Sequence, residues 1–216
     1  MSCGKEHHHG HEHGHHPIQH AKVGKPIEHF EMKVFDPEEG FFADFSSEKT
    51  LAEGKWIVLV FYPADFTFVC PTELADLAEK HEELKKLGCE LVSVSTDTEF
   101  THMAWKNDER LLQNVRYKMG ADPTGKVSRY FGVYDCDTGL ALRGTFIINP
   151  EGMLVGSETT YYNVGRNADE LVRKMQANTY LKENPNEACP AKWTPGEKTL
   201  TPSEIQVGKV YESLNE

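Results

Sequence analysis

A cysteine, a threonine and an arginine are the side chains of this sequence best placed to do chemistry. Cys70 lies in FYPADFTFVCPTEL, just after the apolar stretch Trp56–Phe61 (WIVLVF) and at the start of a run with helical spacing. The stretch WIVLVF is continuous, β-branched and aromatic, which predicts a buried strand. Downstream, Leu74, Leu77, Ala78, His81, Leu84 and Leu87 recur at a helical period, and Gly88 stands where a glycine commonly ends a helix. A thiol in the first turn of that helix would meet unpaired backbone N–H groups and the positive end of the dipole, both of which favour thiolate over thiol. The competing reading is a buried structural cysteine, the common fate of a lone one. Thr67 three residues earlier, Pro63 and Pro71 stiffening the loop, and the strand-to-helix position favour the nucleophile. Thr67 brings a hydroxyl that can donate and accept. Arg143, in LALRGTF, brings a permanent charge and a fork of donors able to hold an anionic sulfur together with oxygens. Taken alone, Arg143 reads first as a surface ion-pair residue. Its apolar flanks argue for partial burial, where an unpaired guanidinium is expensive.

The whole chain narrows the function classes. Its 216 residues suffice for one well-packed domain with an appendage. With 23 basic and 34 acidic residues the formal charge is −11, which argues against a nucleic-acid or anionic-membrane surface as partner. No apolar run reaches the ~20 residues of a membrane helix, and the N-terminus is histidine-rich where a signal peptide is apolar. A cytoplasmic protein is expected. The five cysteines, Cys3, Cys70, Cys89, Cys136 and Cys189, are odd in number and scattered, unlike a disulfide scaffold. In a reducing compartment such a cysteine is more often catalytic or redox-cycling.

The elements that must position these groups can be read along the chain. Residues 1–20, with HHHGHEHGHH at their centre, form a low-complexity tail with too little apolar content to pack. A folded domain is expected over 21–182, opening with strands at Phe30–Phe35 and Phe41–Phe45 around the turn DPEEG. Glu90–Thr96 predicts a second buried strand, FTHMAWKND a helix, and ADPTGK a turn. From Val133 to Tyr161 the pattern predicts strands joined by tight turns at DTG and NPEG. Asn167 with Glu170 has the form of a capping box, opening a helix through Leu171, Val172, Met175 and Tyr180. Residues 183–216 are Pro-rich and aperiodic, an extension that must lie on something or stay mobile. Alternating helices and strands, then a run of strands closed by a helix, predict an α/β sandwich around a mixed sheet.

Four segments, FYPADFTFVCPTE, LRGTFIINPEG, NVGRNADE and EACPAKWTPGEKTL, in this order and at these spacings, resemble the typical two-cysteine peroxiredoxins. The resemblance runs from about Lys22 to the C-terminus. It implies a thioredoxin-like fold, a mixed central sheet flanked by helices, and reduction of hydrogen peroxide and alkyl hydroperoxides. By the same resemblance Cys70 is the peroxidatic cysteine, Pro63 shields it, Thr67 positions the peroxide, and Arg143 holds thiolate and substrate oxygens. Glu73 and Arg166 match residues that orient this cluster. Cys189, unremarkable on its own, matches the resolving cysteine, which in this family usually comes from the partner subunit. The implied cycle passes from a Cys70 thiolate to a sulfenic acid, then to a Cys70–Cys189 disulfide, which an external dithiol donor reopens. That donor is either a thioredoxin-like protein or a flavoprotein disulfide reductase. No metal, haem or flavin is required of this chain. The family's usual assembly is a homodimer built into a decameric ring, with dimers touching near Thr101 in FTHMAW. Relatives sensitive to over-oxidation carry a Gly-Gly-Leu-Gly insertion and a C-terminal helix bearing Tyr-Phe. Here Lys106–Met119 reads KNDERLLQNVRYKM, and the C-terminal KVYESLNE follows Tyr211 with Glu212.

The remaining cysteines invite other expectations. Cys89 reads as a small core residue. Cys136 lies between Asp135 and Asp137, whose carboxylates would raise its pKa and dull its reactivity. Cys3 stands in the histidine tail, which reads as a purification remnant, a natural site for Zn, Ni or Cu, or an inert segment. Incidental metal affinity without a part in peroxide chemistry is the expectation. Two rival function classes remain. A protein disulfide oxidoreductase would present a CxxC pair, which the sequence lacks. An oligomeric holdase or metal-binding protein would rest on the tail and survive loss of Cys70.

Overall fold

The computed structural model of the chain describes residues 20–215; Cys3 and the histidine-rich run, with the expectations attached to them, lie outside these. The chain opens with a hairpin, β1 (Glu31–Asp36) and β2 (Phe41–Ser46), paired in register from Glu31–Ser46 to Asp36–Phe41. A short helix α1 (Ser47–Ala52) follows, capped by the Ser46 hydroxyl, which accepts from the Lys49 N–H. Next come β3 (Trp56–Phe61), α2 (Cys70–Lys86), β4 (Cys89–Ser95), α3 (Glu99–Asp108), β5 (Lys118–Ala121) and α4 (Lys126–Tyr130). Strands β6 (Arg143–Ile148) and β7 (Leu154–Thr160), helix α5 (Ala168–Glu183) and the short α6 (Val210–Asn215) complete it. The strands form one sheet in the order β2-β1-β5-β4-β3-β6-β7. The β3–β4 and β4–β5 pairs are parallel and the others antiparallel, so the sheet is mixed as expected.

β3 shows why a continuous apolar run was needed. All six of its residues are buried, because both faces of the sheet are covered. Trp56, Val58 and Val60 enter the core shared with Leu74, Leu77 and Leu84 of α2, Trp105 of α3 and Met175 of α5. Ile57, Leu59 and Phe61 point the other way, into a core around Phe30, Phe131 and Phe146. Each such large apolar side chain contributes about 1.5–3 kcal/mol when fully buried. Gly88 ends α2 with φ of 74°, the left-handed conformation its position demanded.

Between Val133 and Tyr161 the chain is less strand-rich than expected. Tyr134 and Ala141 make only an isolated bridge, and the regular strands are β6 and β7. The extension does lie on something. Ala188 bridges to Leu200, and Trp193 is buried with its ring 5.0 Å from that of Tyr180 on α5. No helix among the described residues is long and apolar enough to cross a membrane.

Candidate active site

Three elements converge on Cys70. β3 ends at Phe61, the chain crosses a loop, and α2 begins at the cysteine itself, whose side chain is fully buried. Val69 caps the helix with no side-chain acceptor. Pro71 brings no N–H and the Thr72 N–H turns back to the Val69 carbonyl at 3.0 Å, so what reaches the sulfur from the helix is the positive end of its dipole. β6 delivers Arg143, 3% exposed, with Nη1 3.4 Å from Cys70 Sγ and 2.5 Å from Glu73 Oε2. Its Nε donates to the Tyr162 carbonyl at 2.8 Å. The surface ion-pair reading of Arg143 is thereby set aside.

Glu73 lies one turn along α2 from the cysteine and is equally buried. It accepts from the Arg166 backbone N–H and Nε, both at 2.8 Å, and from Nη2 at 3.2 Å. Arg166 spends its other donors on β3 and β6: Nη2 on the Phe61 carbonyl at 2.8 Å, Nη1 on the Gly144 carbonyl at 2.9 Å and on the Thr145 hydroxyl at 3.1 Å. One side chain thus fastens the end of β3, the start of β6 and the first turn of α2. Burial alone would raise the pKa of Glu73. The hydrogen bonds and charge of Arg166, helped by Arg143, outweigh it and hold the carboxyl below its usual range. Two guanidinium groups against one carboxylate leave a net positive charge beside the sulfur, which suits an anionic sulfur and a substrate that gains negative charge.

The loop before α2 has its own anchors. Pro63 is buried in it. The Thr67 hydroxyl donates to the Ala64 carbonyl at 2.7 Å, leaving its oxygen free to accept from a ligand. Phe66 turns the chain with φ of 55°, a left-handed conformation rare for such a side chain. Asp65 holds the turn in place. Its N–H donates to Asp97 at 2.9 Å, and its carboxylate accepts from the Tyr62 hydroxyl at 2.7 Å. The second Asp65 oxygen lies 2.7 Å from Nδ1 of the fully buried His102, whose Nε2 lies 3.0 Å from the Gly120 carbonyl. A carbonyl only accepts, so Nε2 carries a proton, and a further proton lies between Nδ1 and Asp65. Sequence reasoning missed Tyr62, Asp65, His102 and Tyr162, because nothing in their spacing marks them; each works through a contact made by the fold.

The other cysteines separate by environment. Cys70, Cys89 and Cys189 are free thiols. Burial pushes the Cys89 thiol far up, as fits the expected core residue. Cys136 is disulfide-bonded, which corrects the expectation of a dull free thiol there. Cys189 is half-buried beyond α5; burial and then the Glu187 charge raise its pKa, against the Arg173 charge. Glu187 in turn accepts from the hydroxyls of Tyr180, at 2.7 Å, and Thr199. The structure thus brings Arg143, Glu73 and Arg166 to Cys70, sets Pro63 and Thr67 in the loop leading to it, and places Cys189 in the extension beyond α5.

Comparison with known proteins agrees with this arrangement. The model of the AhpC/TSA family matches residues 23–157, and that of the C-terminal domain of 1-Cys peroxiredoxin matches residues 180–213, around Cys189. Alkyl hydroperoxide reductase C of Bacillus subtilis is 48% identical over 188 residues, 87% of this chain and 98% of that protein. Its counterpart from Staphylococcus aureus is 46% identical over the same coverage. The crystal structure of Enterococcus faecalis AhpC superposes with a TM-score of 0.74 at 40% identity, covering 79% of this chain and 99% of that one. Reduced Plasmodium vivax 2-Cys peroxiredoxin gives 0.80 at 28% identity, covering 85% and 94%. The sheet and its flanking helices are those of the expected thioredoxin-like fold. A buried cysteine at a helix start, an arginine on its sulfur and relatives so similar over nearly their whole length lead to one conclusion: the chain belongs to the AhpC/TSA family and is a peroxiredoxin, a thiol-dependent peroxidase.

Proposed function

We propose that the chain reduces hydrogen peroxide and alkyl hydroperoxides with Cys70 as the peroxidatic and Cys189 as the resolving cysteine. The observation that carries this is the Arg143 Nη1 donor 3.4 Å from Cys70 Sγ, held there by a buried carboxylate. The Cys70 thiolate attacks one peroxide oxygen; an S–O bond forms as the O–O bond breaks, and the leaving oxygen departs as water or alcohol after taking a proton. Arg143 and the positive end of α2 stabilise the charge that spreads over the two oxygens, while the Thr67 oxygen accepts a hydrogen bond from the peroxide hydroxyl. Pro63 keeps bulk water off the sulfur, while Glu73 and Arg166 position Arg143. The Cys189 thiolate then displaces hydroxide from the sulfenic acid to give a disulfide, and a dithiol protein restores both thiols by exchange.

In this reading residues 21–182 form the peroxidase domain, and 183–216 deliver Cys189 to a partner subunit. The assembly is a homodimer built into a decamer. The reductant is a thioredoxin-like protein or a flavoprotein disulfide reductase, and a reducing cytoplasm is the compartment that suits the cycle. The similarity to peroxiredoxins over most of the chain favours this reading over a holdase or metal-binding protein. Cys70→Ser should abolish peroxide consumption, whereas Cys189→Ser should keep the first oxidation and lose turnover with a dithiol protein. A Cys189→Ser enzyme that cycles normally, or a Cys70→Ser enzyme that still consumes peroxide, would sink the assignment.

A further inference from the structure

Arg143 is held from two sides, and the two sides are built differently. On one, Glu73 is fixed by four contacts from Arg143 and Arg166. On the other, the Arg143 Nε donates to a backbone carbonyl, that of Tyr162, in the irregular segment between β7 and α5. A carbonyl in such a segment holds its place only if something holds the segment.

The Tyr162 ring supplies that hold. Its hydroxyl donates to Asp135 Oδ2 at 2.6 Å and lies 2.9 Å from Thr138 Oγ1. Both partners belong to the turn DCDTG, which closes on itself through the Asp135 Oδ1 contact to the Asp137 N–H at 3.0 Å and the Gly139 N–H to the Asp135 carbonyl at 2.8 Å. The phenol therefore gives its proton to a carboxylate and accepts one from a threonine, using its full hydrogen-bonding capacity. Burial of the ring, and after it the Asp135 carboxylate, push the phenol's pKa up to about 12, so it stays a donor at neutral pH.

We propose that Tyr162 is a positioning residue for peroxide reduction: clasped by Asp135 and Thr138, it fixes the carbonyl that aims Arg143 at Cys70. The proposal rests on the reading that Arg143 assists Cys70. It adds that the turn around Cys136, remote from the sulfur, takes part in setting that aim. Charge-assisted contacts lose strength steeply with misplacement, and a positioning error of about 1 Å can slow a reaction markedly.

The test uses the full chain, hydrogen peroxide and stopped-flow tryptophan fluorescence, which separates Cys70 oxidation from the later closing of the disulfide. Tyr162→Phe keeps ring and backbone and loses only the hydroxyl; Asp135→Ala loses the acceptor; Asp135→Asn keeps one accepting oxygen, enough for the phenol at the cost of the contact to the Asp137 N–H. The first two should slow Cys70 oxidation roughly fivefold, and Asp135→Asn by less than about twofold. Disulfide closing and Tm should stay at the wild-type values in all three. Tyr162→Phe oxidised at the wild-type rate would overturn the proposal, as would a variant slowed equally in both phases. A Cys70→Ser chain that still consumes peroxide would remove the underlying reading, and the proposal with it, whatever the Tyr162 variants do.

Discussion

Glu73 carries two guanidinium groups on one buried carboxylate, and each guanidinium is fastened elsewhere to the backbone. Replacing it by Gln keeps the shape but leaves two buried cations without a counter-charge, a loss of about 3–5 kcal/mol in stability. The pH dependence follows from the sign of the shift. The folded-state pKa of Glu73 lies below its unfolded value, so its contribution is fully present above the unfolded value and is lost as pH falls through the folded one. Denaturant unfolding from neutral pH into the acid range should show the wild type losing this increment below the ordinary glutamate range, with Glu73→Gln lower at neutral pH and flatter. Equal stability of the two at neutral pH would show the pair to be neutral. Cys189 shifts the other way. A raised pKa keeps it mostly protonated near neutrality, so disulfide closing should speed up with pH, by about tenfold per unit below that pKa. The second fluorescence phase, followed from acid to alkaline pH, measures it; a flat profile would mean that motion, not ionisation, limits closing.

At the scale of elements, legibility tracked length and pattern. α2 and β3 could be read because each carries a full pattern, helical in one and continuous in the other, and the helix ends on a glycine with positive φ. α1, β5 and α4 could not. They are 6, 4 and 5 residues long, too short for a period to show, and β5 exists because β1 and β4 flank it. Arg143 was ambiguous alone for a related reason: only the fold shows that Glu73 and Arg166 meet it. The same elements govern over-oxidation. Cys70 is fully buried at the first position of α2, so reaching Cys189 requires the first turn to unwind. That turn starts at a cap with no side-chain bond, and α6 buries no side chain that could hold it down. Lys106–Met119, where sensitive relatives carry an insertion, forms the end of α3, a 3-10 turn and the start of β5. Opening should therefore be fast, and the disulfide should outrun a second oxidation. Mass spectrometry of the enzyme cycling with reductant at rising peroxide should find sulfinic Cys70 only at high concentration; its accumulation at low micromolar levels would reveal a clamp elsewhere in the extension.

At the scale of the whole molecule two exposed surfaces suit the proposed assembly. β7 is an edge strand, and the residues after it include the exposed Tyr161 and Val164. Toward the other edge of the sheet an aromatic pair stands in solvent, Phe42 of β2 with Phe100 of α3, ring centroids 4.9 Å apart; Phe66, its ring 6.2 Å from that of Trp105 of α3, and Phe68 of the active-site loop are exposed as well. Apolar side chains gathered in this way usually mark an interface. Phe100 opens the FTHMAW segment of α3 expected to join dimers, and His102 of the same helix is turned inward to grip Asp65 in the active-site loop. An assembly contact on α3 would then bear on the turn that presents Cys70, which links oligomer state to the reactive loop through packed atoms. Phe100→Glu places a charge in that aromatic group without touching β7 or either cysteine. In sedimentation the reduced wild type should run as a decamer and Phe100→Glu as a dimer. Both should still give a disulfide-linked dimer on a non-reducing gel after peroxide if, as proposed, Cys70 and Cys189 meet across the other interface. A reduced wild type that sediments only as dimers would remove the decamer, and an oxidised band of monomer size with both thiols consumed would make the disulfide intramolecular.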